Sequence, residues 1–503
     1  MSGSPVVGRR SAGVLLHLSS LPSPHGIGDL GPAAYAWVDL LARTGQSWWQ
    51  VLPVSATGAG DSPYQSLSST GGNPLLISPE LLVEDGLLQP ADLAGQAFPA
   101  HEVDYDAVRR FKARVLEQAW ARFHEVAASN LRTEFETFLQ QNATWIDEYA
   151  LFMAIKEARG GAAWFDWPND LRMRDPSALA LARRELAGPI ARFRFEQFLA
   201  FRQWVRLKRY ANEHGLRIIG DLPIFVSDDS LDVWLNPEQF LLDANHRPRF
   251  VAGVPPDYFS PTGQHWGNPL YDWEAMAKDG YAWWIRRLRG LLRYFDVVRL
   301  DHFRGFEAAW HIPAGAPTAQ HGHWEPGPGD DLLRRLREAL GDLRLIAEDL
   351  GQITPAVRAM RDRFGLPGMR VLQFAFDGDP QNPFLPHNYE RNTVAYTGTH
   401  DNDTTVGWYR ALAEPHRHIV RTYSRSDGRD IAWDLIHLAW SSVADLAVVP
   451  VQDLLMLDSS ARMNRPNVAL GNWRWRLASE QPVEQALERL AGLTKMYNRW
   501  PDR

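Results

Sequence analysis

The chain contains eight short, almost continuously apolar segments, and several of them end directly in polar residues. Strands of a parallel sheet that is buried on both faces have this near-continuous apolar pattern. Stretches with helical apolar periodicity separate most of the segments, which is typical of alternating strands and helices. The sequence therefore predicts the α/β fold class, and within that class a (β/α)8 TIM barrel. The predicted strands are 13–18, 48–54, 216–223, 295–301, 343–348, 369–376, 393–399 and 446–451.

Two intervals between these strands are much longer than a single helical crossover requires. Residues 55–215, between the second and third strands, are predicted to form a mainly helical subdomain. Residues 224–294, between the third and fourth strands, are predicted to form a loop-rich subdomain over the cleft. We therefore expect one barrel over residues 1–503 with both subdomains inserted into it. Helices of the first insertion are expected near 106–127, 130–140 and 144–159.

Composition and charge exclude several classes of protein. The absence of cysteine rules out disulfides, thiolate metal sites and cysteine nucleophiles. The net charge of −7 is spread along the chain without a basic patch, so nucleic acid is not an expected partner. No metal-binding, phosphate-loop or dinucleotide motif is present, so neither a metal nor a cofactor is expected. Without an apolar signal core or an apolar run long enough to span a bilayer, we expect a cytoplasmic protein that does not contact membranes.

Acidic residues follow four of the predicted strands. Asp221, Asp301, Glu348 and Asp401 lie at or just beyond the carboxyl ends of the third, fourth, fifth and seventh strands. Catalytic groups of such barrels come from these strand ends, which all meet at one face. A single aspartate in such a place is as often the N-cap of the next helix. Four of them, with Arg and His neighbours, favour a shared site with carboxylate chemistry.

The spacing of these residues suggests a division of roles. Arg299 and Asp301 are two positions apart on a strand, so their side chains point to the same side. A guanidinium next to a carboxylate favours the ionised form that a nucleophile needs, and such a carboxylate can attack an anomeric carbon. Glu348 follows a very apolar strand, where burial would keep it protonated as a general acid. Asp401 is expected to bind sugar hydroxyls next to the breaking bond.

The ordered motifs of the chain resemble those of glycoside hydrolase family 77, the 4-α-glucanotransferases or amylomaltases. They extend from the amino-terminal to the carboxyl-terminal part of the sequence. So many motifs in the same order make a chance match negligible. The matching segments are 19–24, 26–31, 49–53, 61–66, 220–226, 253–259, 266–271, 299–305, 347–351, 398–403 and 461–464.

This resemblance implies an α-1,4-glucan substrate, such as maltooligosaccharides, amylose, glycogen or starch. It implies a retaining enzyme that transfers glucan segments to the 4-hydroxyl of glucose or maltodextrin, with cyclisation to cycloamyloses as a further possibility. By the resemblance, Asp301 is the nucleophile, Glu348 the general acid/base and Asp401 the carboxylate that stabilises the transition state. The implied substrate-binding residues at the cleaved unit are Asp221, Arg299, His302, His400 and, from the last motif, Asn464.

Aromatic residues indicate how transfer is favoured over hydrolysis. Water outcompetes a sugar hydroxyl unless the site excludes water or positions the acceptor. The segment 255–266 begins with two prolines and contains Tyr258, Phe259 and Trp266, which are predicted to cover bound glucan. Tyr64 is a second predicted stacking residue. The alternative for each of these side chains is ordinary packing in a loop or in the core.

Two other functions remain open from the sequence. The first is an α-1,4-glucan hydrolase of the same superfamily, which would use the same carboxylates. The second is a glucan-binding protein without activity, which the intact Asp301, Glu348 and Asp401 argue against.

Overall fold

The computed structural model describes residues 7–126, 128–256, 260–466 and 468–501. Eight of the strands in this part of the chain close into a parallel barrel in the order β1-β2-β3-β6-β9-β10-β11-β12. Each of the eight predicted segments overlaps one of these barrel strands, so the predicted (β/α)8 fold is confirmed. The strands are β1 (Ser11–Leu15), β2 (Trp48–Gln50), β3 (Arg217–Pro223), β4 (Phe250–Val254), β5 (Gln264–Pro269), β6 (Val297–Asp301), β7 (Ala308–Pro313), β8 (His323–Pro326), β9 (Leu345–Ala347), β10 (Gly368–Val371), β11 (Thr393–Tyr396) and β12 (Leu446–Pro450).

Helices surround the barrel, and none within the described residues is long and apolar enough to cross a membrane. Short 3₁₀ turns connect many of them. The α-helices are α1 (Pro32–Arg43), α2 (Pro79–Glu84), α3 (Tyr105–Val126), α4 (Ser129–Gln141), α5 (Ile146–Ala158), α6 (Asn169–Arg172), α7 (Pro176–Glu185), α8 (Ala187–Glu213), α9 (Leu231–Leu235), α10 (Trp273–Lys278), α11 (Ala282–Tyr294), α12 (Gly329–Leu340), α13 (Pro355–Arg363), α14 (Thr405–Ala411), α15 (Glu414–Ser424), α16 (Ile431–Ser441), α17 (Val451–Leu454) and α18 (Val483–Met496).

The long interval between β2 and β3 is mainly helical. Helices α3, α4 and α5 lie within two residues of the helices predicted from apolar periodicity. Part of α8 packs with α3 and α4 around an apolar cluster that is separate from the main core. This cluster includes Phe111, Val115, Leu131, Phe195 and Phe198. The long helix α8 thus contacts the other helices of the insertion with one part, and its carboxyl-terminal end leads into barrel strand β3.

A second sheet lies beside the barrel and was not predicted from the sequence. It is antiparallel, with strand order β5-β4-β7-β8. Strands β4 and β5 belong to the interval 224–294, whereas β7 and β8 follow barrel strand β6. Residues from both sides of β6 therefore build the region next to the carboxyl end of that strand.

The barrel core leaves no room for added atoms at Gly220 on β3. A Cβ atom built there would lie 2.4–2.7 Å from three ring atoms of the buried Phe295. By contrast, a Cβ on Gly290 of α11 would meet nothing within 4 Å. Alanine substitutions at the two glycines therefore have different effects: at Gly220 the added Cβ atom meets the packed barrel core, whereas at Gly290 only the helix propensity of the residue changes.

We expect Gly220→Ala to destabilise the fold by about 1–3 kcal/mol, because the ring of Phe295 has to move in a packed core. The matched control Gly290→Ala should be neutral or stabilising by up to about 1 kcal/mol, since alanine is the better helix former. The measurement is the midpoint of thermal unfolding of each variant. Equal midpoints for Gly220→Ala and the parent chain would contradict this description of the packing.

Candidate active site

A buried arginine lies at the centre of the charged groups at the carboxyl ends of the barrel strands. Arg299 of β6 is only 3% exposed. Its Nη1 donates to both carboxylate oxygens of Asp221, at 2.9 and 2.7 Å, and its Nη2 donates to Oδ1 of Asp301 at 2.8 Å. Asp221 is directly opposite Arg299 in the β3–β6 register, and Asp301 is two residues further along β6. The expectation that Arg299 and Asp301 share one side of the strand is confirmed.

Tyr64 joins this group from the loop after β2. Its hydroxyl donates to Oδ2 of Asp221 at 2.7 Å, and its ring stacks on His400 with 5.2 Å between the centroids. Burial and the charge of Asp221 raise the pKa of Tyr64 well above its ordinary value, so the phenol stays a neutral donor. Trp473, which the sequence did not point out, packs against both rings at 5.6 and 6.0 Å. Its position shortly after the motif 461–464 is the one signal that could have identified it.

Glu348 follows β9 and is held by backbone groups. Its Oε2 accepts the N–H of His302 at 2.6 Å, and its Oε1 accepts the N–H of Leu350 at 2.8 Å. His302 adopts the left-handed conformation, with φ of 51°, at the point where the chain leaves β6. Burial raises the pKa of Glu348, the negative charge of Asp301 raises it further, and Arg299 and the two N–H groups offset only part of this. A buried carboxyl of this kind keeps its proton where an exposed glutamate has lost it.

Asp301 faces the cleft at the end of β6. Its side chain is 28% exposed, compared with 0% for Asp221. Burial raises the pKa of Asp301, Arg299 lowers it, and the charges of Asp221 and Asp401 raise it again. The net direction is upward, so the guanidinium does not by itself decide the charge of this carboxyl as the sequence suggested. Of the two coupled carboxyls, Glu348 has the higher pKa and Asp301 ionises first.

Asp401 lies in the loop after β11 and has a different environment. Its Oδ1 accepts from Nδ2 of Asn464 at 2.6 Å, and its Oδ2 is 3.3 Å from Nε2 of His400. Nη2 of Arg462 donates to its backbone carbonyl at 2.7 Å. Although burial alone would raise the pKa of Asp401, His400, Asn464 and Arg299 together hold it below its usual range. Asp401 is therefore the most firmly ionised of the carboxyls that face the cleft.

His302 and Trp266 form a further ring contact at the site. The two rings are perpendicular, with centroids 4.8 Å apart, and Trp266 lies on β5 of the second sheet. Burial lowers the pKa of His302 to about 3, so its imidazole is neutral. Its buried Nε2 has no hydrogen-bond partner among the described residues. An unpaired polar atom at this place suits a hydroxyl group of a bound ligand.

Tyr258 and Phe259, which the sequence predicts to cover the glucan, lie outside the described residues. The chain on both sides of them belongs to the hairpin of β4 and β5. The other predicted site residues converge at one end of the barrel, including Tyr64 and Asn464, which are far apart in sequence. A site with three carboxyls of different protonation, a neutral imidazole and several aromatic rings is suited to acid/base and nucleophilic chemistry on a polyhydroxylated substrate.

Similar proteins were found for nearly the entire chain. The family model described as 4-alpha-glucanotransferase, glycoside hydrolase family 77, matches residues 16–481. The 4-alpha-glucanotransferase of Synechocystis is 50% identical over 98% of both chains, and that of Thermus thermophilus is 50% identical over 93% of this chain and 95% of its own. The amylomaltase from Streptococcus agalactiae, solved in complex with acarbose, matches with a TM-score of 0.95 at 39% identity, over 98% of this chain and 100% of that one.

The raised pKa of Glu348 can be tested without assuming a reaction. At neutral pH we expect an infrared C=O band of a protonated carboxyl that is absent in Glu348→Gln and disappears as the pH rises. Asp301→Asn should lower the pKa of Glu348, because it removes the negative charge that contributes to the shift. The exposed Glu338→Gln serves as the control and should leave the band unchanged. An unchanged pKa in Asp301→Asn would contradict the coupling of the two carboxyls.

Proposed function

Because this chain belongs to glycoside hydrolase family 77, the 4-alpha-glucanotransferases, we propose that it works by double displacement through a covalent glycosyl–Asp301 intermediate. The chain is an enzyme of this type and acts on α-glucans. In the proposed reaction a donor α-1,4 bond is cleaved, one fragment leaves, and the other is passed to the 4-hydroxyl of glucose or a maltodextrin. The observation that carries the mechanism is the different environment of Asp301 and Glu348 next to Arg299.

Asp301 is the best candidate for the nucleophile. Both oxygens of Asp221 are occupied by Arg299, one of them also by Tyr64, and this side chain is fully buried. Asp301 contacts Arg299 through Oδ1, and its side chain is partly open to the cleft. Attack by its carboxylate on the anomeric carbon forms the C–O bond of a glycosyl ester as the bond to the leaving oxygen breaks.

Glu348 has the properties of a general acid that later acts as a base. Its raised pKa supplies a proton for the leaving glycosidic oxygen in the first step. The carboxylate that remains accepts the proton of the acceptor 4-hydroxyl as that oxygen displaces Asp301. The N–H groups of His302 and Leu350 orient the carboxyl during both steps.

Asp401 and the two histidines are proposed to bind the hydroxyls of the sugar unit at which cleavage occurs. Asp401 is an anion held by Asn464 and His400, and hydrogen bonds from sugar hydroxyls to such a group strengthen as positive charge develops on the ring. The unpaired Nε2 of His302 faces a neighbouring hydroxyl. Tyr64 provides an apolar ring surface beside His400, and Trp266 provides one beside His302.

Aromatic side chains that cover the bound glucan are proposed to favour transfer over hydrolysis. Trp266 on β5 and the predicted contacts of Tyr258 and Phe259 would exclude water from the ester and hold the acceptor glucan. An acceptor 4-hydroxyl that belongs to the bound chain itself would give cycloamyloses by the same chemistry. Maltooligosaccharides, amylose, glycogen and starch are the proposed substrates.

The direct test of transfer is incubation with pure maltotriose. We expect glucose together with a ladder of longer maltodextrins, because each glycosyl intermediate is passed to another glucan. The number of reducing ends should stay nearly constant, since a transfer replaces each bond that it breaks. Shorter products without a ladder, with a rising number of reducing ends, would identify a hydrolase instead.

The proposed roles are tested by Asp301→Ala and Glu348→Gln. Asp301→Ala should abolish transfer, and Glu348→Gln should reduce it by about 10²- to 10⁴-fold, because a positioned acid/base contributes that much. Both variants should still bind maltodextrin, as measured by calorimetry.

In acid-quenched wild-type enzyme, mass spectrometry should find the glycosyl group on the peptide that contains Asp301. Glu338→Gln, on the exposed face of α12, is the control with an unchanged rate. Wild-type rates in both site variants would refute the mechanism.

A further inference from the structure

We propose that Asp453 is a positioning residue for the loop that carries His400 and Asp401. The loop comprises residues 397–404, between β11 and α14. Asp453 lies in α17, which begins directly after the neighbouring barrel strand β12. The inference rests on the role proposed above for Asp401, but it concerns a residue that lies outside the group of site residues.

A single carboxylate binds both ends of this loop. Oδ2 of Asp453 accepts from the hydroxyl of Thr397 at 2.6 Å and from the hydroxyl of Thr405 at 2.7 Å. Its Oδ1 accepts the backbone N–H of Thr405 at 2.7 Å. Thr397 follows the last residue of β11, and Thr405 is the first residue of α14. Asp453 therefore fixes the distance between Thr397 and Thr405, and His400 and Asp401 lie in the loop between these two threonines.

The burial of Asp453 makes this arrangement specific. Asp453 is 2% exposed and both threonines are fully buried. Among the described residues, its carboxylate accepts hydrogen bonds from the two hydroxyls and the N–H, and no cationic side chain donates to it. A buried carboxylate without these three donors would be strongly destabilised, so the donors are held in place as firmly as the acceptor. The nearby charge of Asp403 acts against ionisation and makes the three donors more important.

Other contacts hold the middle of the loop, and Gln373 adds to Asp453 at its carboxyl-terminal end by donating to the carbonyl of Asp403 at 2.9 Å and to the hydroxyl of Thr405 at 3.5 Å. Oδ1 of Asn402 accepts the backbone N–H and the hydroxyl of Thr399, each at 2.9 Å. Asn464 and Arg462 hold Asp401 from outside the loop. Tilting the loop at its ends would change the direction of the Asp401 carboxylate towards the ligand without removing the carboxylate. Small displacements of groups around the reacting centre slow the reaction strongly.

The inference is tested with threonine variants that keep the size of the side chain. Thr397→Val removes one hydroxyl donor to Asp453 and should lower kcat for maltotriose transfer by about 10- to 100-fold with little change in KM, because Asp401 is displaced rather than lost. Thr397→Ser keeps the hydroxyl and should restore the rate. Asp453→Asn should have an effect in the same direction, and the double variant with Thr397→Val should be less than additive, since both changes break the same bond.

The matched control is Thr494→Val. This buried threonine donates to the carbonyl of Leu490 and accepts from Gln46 and Trp440, and Gln46 precedes β2 at the opposite end of the barrel. Loss of the Thr494 hydroxyl should lower the midpoint of thermal unfolding and leave kcat unchanged. A wild-type kcat in Thr397→Val, or an equal loss of kcat in Thr494→Val, would overturn the positioning role. Asp401→Asn separates the positioning role of Asp453 from the proposed role of Asp401. An unaffected rate in Asp401→Asn would refute the role proposed for Asp401 itself.

Discussion

The buried guanidinium of Arg299 is the interaction on which the rest of the site depends. A charged group that is 3% exposed is tolerated only if it is paired and hydrogen-bonded, and Arg299 meets this requirement through Asp221 and Asp301. Its planar fork requires carboxylates at fixed places, which the adjacent strands β3 and β6 provide through their register. The hydroxyl of Tyr64 donates to Oδ2 of Asp221, which also accepts from Arg299, and the ring of Tyr64 stacks on His400. The position of one arginine thus orders residues from four separate parts of the chain.

Carboxyl groups occur in this site in different protonation states, and the surroundings of each group decide which state it has. Glu348 is buried next to a negative neighbour and keeps its proton, whereas Asp401 is surrounded by His400 and Asn464 and is ionised. Separating the pKa values of neighbouring carboxyls is how acid and nucleophile roles are assigned at one pH. Arg299 belongs to both environments, because its charge acts on Glu348 and on Asp401.

The architecture explains why these environments are stable. Parallel barrel strands direct their carboxyl ends to one face, and the loops beyond them are held by buried polar contacts such as those of Asp349 with Arg361, Arg370 and the N–H of Met369. The second sheet adds Trp266, whose ring contacts His302. The rigid barrel thus carries Asp221, Arg299 and Asp301 on its strands, and the loops beyond the strands add Tyr64, His400 and Asp401.

The sequence by itself determined the barrel, the positions of its eight strands and the convergence of Asp221, Asp301, Glu348 and Asp401. Strands that are buried on both faces must be almost continuously apolar, so the acidic residues after them are conspicuous. The tertiary structure decided the rest. Strands β5 and β8 are short and rich in His, Trp, Gly and Pro, without the alternation that marks a strand. The contact of Trp473 with Tyr64 joins distant segments, and the protonation of Glu348 depends on burial and charge, which only the folded chain brings together.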